Sequence, residues 1–257
     1  MGLGTAQRIF YHYSHLKPET QSQAEFPATH WSAIQQAADV LSPASRTALE
    51  ELCRIYWPPL YAFLRRSGHD VHEAQDLVQG YLARLLERND LAVITPGKGR
   101  FRSYLLSGLR NYLVSQARRE GAEKRGGRTV TLSLDLENAE VLCNTVLVDC
   151  STPDLAFDRH WAETILDRAL EALRAEYQAR GKGQLYELLK SSLAGDAVED
   201  YASFGRQFGM TPGAVAAAVH RLRLRLRELV RWEVTQTVGS AADLEEEMRN
   251  LLAILSA

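Results

Sequence analysis

The chain has 257 residues, enough for one large or two small domains. It is 46% hydrophobic and 24% charged, the make-up of an ordinary globular protein, which excludes global disorder, collagen and a coiled-coil rod. Its formal net charge of -2 hides a strong segregation of charge along the sequence.

Residues 1–27 show no period and lack the apolar block of a signal peptide, and no later stretch approaches the length of a membrane span. The expected location is cytoplasmic. Cys53, Cys143 and Cys150 form no disulfide framework.

The first helical pattern starts near Ala44 and carries Leu49, Leu52, Cys53, Tyr56, Leu60, Phe63 and Leu64 at steps of three and four. Pro58-Pro59 is expected to kink or interrupt it. After the break at Ser67 to Asp70, Asp70 stands as a cap with Glu73 in capping-box position. The next helix runs to about Arg88 on a stripe of Ala74, Leu77, Val78, Tyr81, Leu82, Leu85 and Leu86. Thr95 to Gly99 is a loop. Phe101 to Arg119 is helical again, burying Phe101, Leu105, Leu109, Tyr112 and Leu113.

From Lys98 to Arg128 nine basic residues face only Glu120 and Glu123. Thr131 to Glu176 reverses the balance, with ten acids against Arg159, Arg168 and Arg174. Val130, Leu132, Leu134 and Leu136 alternate with polar residues, as in an extended segment. A turn at Ser151 to Asp154 precedes a helix bearing Trp161, Ile165, Leu166, Leu170 and Leu173 and ending near Gly181.

Tyr201 to Val230 fits a helix-turn-helix. Gly205 is the small residue that a tight crossing needs, and Gly209 supplies the turn. Thr211 is the N-cap and Pro212 the first helical residue. Val215, Val219, Leu222, Leu226 and Leu229 form the buried stripe. Ala214, Ala217, Ala218, Arg221 and Arg225 are assigned to the opposite side, where small residues permit close approach to a major groove and arginines grip phosphate or guanine. Gly213 has no evident structural reason. Arg206 to Arg231 holds six arginines against Glu228. Two basic modules divided by an acidic connector point to a polyanion held at two places.

The order of these modules resembles the extracytoplasmic-function sigma factors of the sigma-70-like family, specificity subunits of bacterial RNA polymerase, over roughly residues 30–235. Asp70-x-x-Glu73-Ala-Gln-Asp76-Leu-Val-Gln79 is similar to the region-two helix that docks on core polymerase. Phe101 to Leu105, with Arg110-Asn111 and Arg118-Arg119, looks like the segment that melts and reads the -10 element. Tyr201 to Leu229 resembles the region-four reader of the -35 element. Trp31-Ser32 and Lys124 to Gly127 look like one subset of the family. Many relatives carry an acid after the docking glutamine, where this chain has Gly80. The connector is longer than in minimal members.

The resemblance implies an all-α fold of two helical modules, a region-two-like bundle and a region-four-like helix-turn-helix, joined by a largely extended acidic linker. The expected divisions are 1–27, a region-two-like domain at 28–120, a linker at 121–155, a region-four-like domain at 156–237 and an acidic amphipathic helix at 238–257. The polymerase contact falls on Gln75, Asp76, Gln79, Gly80 and Arg84. Melting and -10 binding fall on Lys98, Arg100, Arg102, Tyr104, Arg110, Asn111, Arg118 and Arg119. The -35 duplex falls to Thr211, Gly213, Ala214, Ala217, Ala218, Arg221 and Arg225. Implied partners are core RNA polymerase and promoter DNA, duplex and single-stranded. The alternative is a helix-turn-helix regulator that binds duplex DNA without polymerase.

Inhibition is open between an anti-sigma factor and the tail. Leu244, Met248, Leu251 and Leu255 form an amphipathic stripe beside an acidic face, which either masks the basic reader, completes the core or packs on polymerase. The acidic connector is either suited to a basic polymerase channel or a plain surface linker. Pro96 to Gly99 is not a phosphate loop, because Ala92 and Gly99 stand where glycine and Ser or Thr are required. His69 and His72 lack further ligands at metal spacing, and Cys143 and Cys150 are too loosely spaced for zinc. No cofactor, metal or catalytic constellation is expected.

Overall fold

The computed structural model describes residues 43–87, 100–123, 152–194, 205–206, 209–238 and 240–256. Among these residues the chain is all-helical, with seven α-helices and no strand. They are α1 (Pro43–Arg66), α2 (Val71–Glu87), α3 (Phe101–Glu123), α4 (Pro153–Ala179), α5 (Gly183–Leu189), α6 (Pro212–Thr235) and α7 (Ala241–Ser256). A 3-10 turn, Lys190–Ala194, follows α5. Val130 to Leu136 and the body of the connector lie outside the described residues.

The described residues fall into two compact units. One holds those up to 161 together with 236–244, and the other holds 162–235 and 245–256. The division falls within α4, between 161 and 162.

In the first unit α1 packs against α2 and α3, and these two pack against each other. α1 continues unbroken through Pro58 and Pro59, contrary to the expected interruption. The reason is burial all round: Leu60, Tyr61, Ala62, Phe63 and Leu64 are five successive core residues. A helix enclosed on every side is the centre of its unit. Packing of that extent outweighs the roughly 3 kcal/mol that an interior proline costs. Tyr56 meets Phe101 of α3 edge-on at 5.1 Å, while Trp57 and Tyr61 stack at 4.9 Å. α1 ends at Gly68, whose φ of 98° reverses the chain.

Asp70 caps α2 as expected, its carboxylate accepting the Glu73 N–H at 2.8 Å. The Glu73 side chain turns to His69, 2.9 Å away, which gives that histidine a role at a helix start. α2 and α3 are held by a reciprocal pair of contacts. The Tyr81 hydroxyl sits over Gly108 and donates to the Leu105 carbonyl at 2.9 Å. The Tyr112 hydroxyl sits over Gly80 and accepts from Gln116 at 2.7 Å. A Cβ on either glycine would lie 2.4 Å from the facing hydroxyl. The glycine following Gln79 is therefore a packing position.

In the second unit α4 ends at Gly181, with φ of 68°, and Lys182 N–H returns to the Tyr177 carbonyl at 2.8 Å. Trp161, just before the unit begins, and Ile165, Leu166, Leu170 and Leu173 within it are buried, as their spacing predicts. Tyr186 of α5 donates to the Leu170 carbonyl, and Arg223 of α6 donates twice to the Ser192 carbonyl. Arg168 pairs with the buried Glu233 at 2.9 Å. Within this unit α7 buries Met248, Leu251 and Leu255 and carries Glu245, which pairs with Arg231 of α6, while Leu244, also buried, falls in the first unit. These four leucine and methionine positions behave as core, and the first half of α6 keeps an exposed face.

Candidate nucleic-acid interface

The turn before α6 is built as its residues demand. Gly209 has φ of 62°. The Met210 N–H donates to the Gly205 carbonyl at 2.8 Å. A Cβ at Gly205 would lie 2.3 Å from the Met210 carbonyl oxygen, so the crossing tolerates no larger residue. The Thr211 hydroxyl accepts the Ala214 N–H at 3.2 Å, and the Thr211 carbonyl accepts from Val215 at 3.0 Å. Of the helix before the turn, Gly205 and Arg206 are described, and both are helical.

α6 buries Val215, Val219, Leu222, Leu226 and Leu229. At 100° per residue, Gly213 and Ala217 lie about 160° from the centre of this stripe, and Arg221 about 120°. All three are exposed, with Thr211, and Ala214 is half-buried on the flank. Two residues depart from the expected face. Ala218 lies only about 60° from the stripe centre and is 5% exposed. Arg225 lies about 80° from it, on the flank, and turns to α4. Its guanidinium makes two hydrogen bonds to Glu176, at 2.6 and 3.0 Å, and one to Glu228 at 2.5 Å. The hydrogen bond from Arg225 holds the Glu176 carboxyl below its ordinary range. His220 was absent from the expected set, yet it is exposed at about 140° from the stripe centre. A search for charge passes over it, whereas the helical angle alone finds it.

On α3, Tyr104, Asn111 and Arg118 recur at seven-residue steps and fall within about 40° of one another. All three are exposed, as is Arg119. Tyr104 is 38% exposed and its ring stacks on the buried Phe101 at 6.4 Å. The arrangement sets a ring, an amide and a cation along one accessible edge. Arg100 is half-buried just before the helix, and Lys98 lies outside the described residues.

Arg102 and Arg110 are directed elsewhere. Arg102 is only 6% exposed, pairs with Asp158 and lies over the Trp161 ring, 4.6 Å from its centroid. Arg110 pairs with Asp154 and lies 5.6 Å from the centre of the Phe63 ring. The first two turns of α4, started by the Thr152 cap, thus dock on α3. The sequence reading assigned both arginines to a DNA strand because charge alone does not reveal a partner some fifty positions away.

On α2, Asp76 is exposed, and Gln75, Gln79, Gly80 and Arg84 are partly exposed beside it. The Arg84 guanidinium lies 5.7 Å from the Tyr112 ring centroid. Polar groups thus border a helix whose opposite side, Ala74, Val78, Tyr81, Leu82 and Leu85, is core. Among the described residues no cluster of His, Cys, Asp and Glu is arranged to hold a metal ion, and no helix is long and apolar enough to cross a membrane.

Residues 52–123, the span from mid-α1 to the end of α3, match the family described as sigma-70 region 2. No curated protein and no solved structure matches the chain. The three-helix core that carries both the α2 polar face and the α3 edge is thus the part of the chain that is similar to sigma-70 region 2.

Proposed function

We propose that this chain is a sigma factor of the extracytoplasmic-function type, which brings core polymerase to a promoter, reads the -35 duplex with α6 and holds unpaired -10 bases along α3. A role in promoter-directed transcription initiation, with core polymerase and promoter DNA as partners, follows from the family. The finer assignment is carried by one observation: a region-2 core and a capped, glycine-turned reading helix occur in the same chain.

The division of labour follows from the surfaces. The α2 face offers hydrogen-bonding side chains around an otherwise apolar helix, which suits a partner helix. Tyr104, Asn111 and Arg118 suit single-stranded bases and backbone, for which stacking rings and cations are the usual means. The exposed, small-residue start of α6 suits close entry into a major groove. No step requires bond chemistry by the protein itself, in keeping with a non-catalytic family.

The test is reconstitution. The full chain is added to core polymerase with promoter fragments from its own genome, and permanganate reactivity of unpaired thymines is followed with transcript formation. Core-dependent opening near -10 is expected. DNA binding that ignores core polymerase, with no opened segment, refutes this reading and supports a duplex-binding regulator.

A further inference from the structure

We propose that base discrimination by α6 rests on His220 and Arg221, and that Arg225 is a brace that positions the helix without reading a base. This inference deepens the assignment of α6 as a duplex reader and rests on it.

Over residues 212–221, the start of α6, the exposed positions are Pro212, Gly213, Ala216, Ala217, His220 and Arg221. Of these, only His220 and Arg221 have side chains that can exchange hydrogen bonds with a base edge. Among the described residues neither makes a hydrogen bond or ion pair. The other arginines of the helix are differently placed. Arg223 is spent on the Ser192 carbonyl, Arg225 on Glu176 and Glu228, and Arg231 on Glu245. Arg227 is half-buried.

Arg225 is also held from two sides. Glu176 belongs to α4 and Glu228 lies three residues on in α6, so the guanidinium closes a bridge between the two helices. Releasing it to a base would leave Glu176 without this partner. A contact made already within the folded unit fixes the tilt of the reading helix and adds nothing to the choice among sequences.

From Gly213 to Arg221 the helix advances about 12 Å, the length of three or four base-pair steps. Gly213, Ala216 and Ala217 leave the first part of this path smooth, so backbone and methyl groups approach the groove floor. Alanine methyls match thymine methyls there, and Arg221 matches the O6 and N7 acceptors of guanine. His220, with one donor and one acceptor when neutral, matches a purine edge. The element read is therefore short: a thymine-rich portion followed by a guanine and a neighbouring purine.

The experiment is selection from a randomised duplex pool by the full chain with core polymerase, followed by affinity measurements on the enriched sequence and its single-base variants. Wild type, His220→Ala, Arg221→Ala, Arg225→Ala and Glu176→Gln are compared. His220→Ala and Arg221→Ala are each expected to abolish preference at one base pair, worth roughly tenfold, and to leave the other positions intact. Arg225→Ala and Glu176→Gln are expected to weaken all sequences alike and to lower thermal stability, with the base profile unchanged. A profile lost in Arg225→Ala and kept in His220→Ala and Arg221→Ala overturns the inference while sustaining duplex reading. Should Arg225→Ala fail to fold, Glu176→Gln supplies the same comparison. If wild type enriches no duplex sequence, the reading of α6 as a duplex reader itself falls.

Discussion

Replacing Gly205 by alanine sets a methyl group 2.3 Å from the Met210 carbonyl oxygen. Ordinary contact begins near 3.4 Å, so the crossing would have to open by about 1 Å. The obstacle is backbone, and that backbone is tied back to the same residue by the Met210 N–H. Overpacking of this kind costs about 1–3 kcal/mol, and a rigid neighbour places it at the upper end. Alanine returns up to about 1 kcal/mol of helix propensity, leaving a net loss of about 2 kcal/mol. Gly213 is the matched control, because a Cβ there meets nothing within 4 Å. Gly213→Ala should therefore stabilise α6, by no more than about 1 kcal/mol. The two substitutions are the same chemistry with opposite expected signs. Hydrogen exchange at the α6 amides, read alongside urea unfolding, measures both without assuming that the two units unfold together. Equal effects of the same sign, or an unperturbed Gly205→Ala protein, would refute the argument from close approach.

Gly80→Ala should destabilise the first unit by about 1 kcal/mol once helix propensity is counted, and Tyr112→Phe, by removing the hydroxyl it strikes, should recover most of that loss in the double variant; a thermal-denaturation cycle measures the coupling. Asp158→Asn should cost about 2 kcal/mol by removing a carboxylate from the buried Arg102, less than for a fully enclosed pair since Asp158 is one-third exposed. Replacing both partners by apolar residues should cost less than Asp158→Asn alone, and chemical denaturation gives the order. Burial, with Arg159 nearby, lowers the pKa of His160 to about 4. The unfolded chain then binds the extra proton below about pH 6.5, so stability is complete above that pH and is lost as pH falls toward 4. The expected loss between pH 7 and pH 5 is about 2 kcal/mol, and His160→Phe should flatten that part of a stability-against-pH curve.

Local rules were readable wherever the interaction is short in sequence. The Asp70 and Thr211 caps, the Gly209 turn, the Gly205 crossing and the α6 stripe each need only a few neighbouring residues, and each is present. What failed to show were pairings at long range. Nothing near Arg225 in sequence points to Glu176, and nothing near Arg102 points to Asp158 and Trp161. Arginines on a basic stretch look available until the fold supplies their acids. The prolines of α1 misled in a related way, since helix-breaking is a local tendency and the burial that overrides it is collective. α5 and the turn after it carry too few residues for a period to emerge.

The tyrosine hydroxyls seated over Gly80 and Gly108 act as two pegs in opposite senses, one from each helix into the other. A slide of α2 along α3 by one residue, about 1.5 Å, would drive both pegs into side chains at once. The pair therefore moves as a single plate. A displacement of the exposed α2 face would therefore carry Tyr104 and Asn111 of α3 along with it.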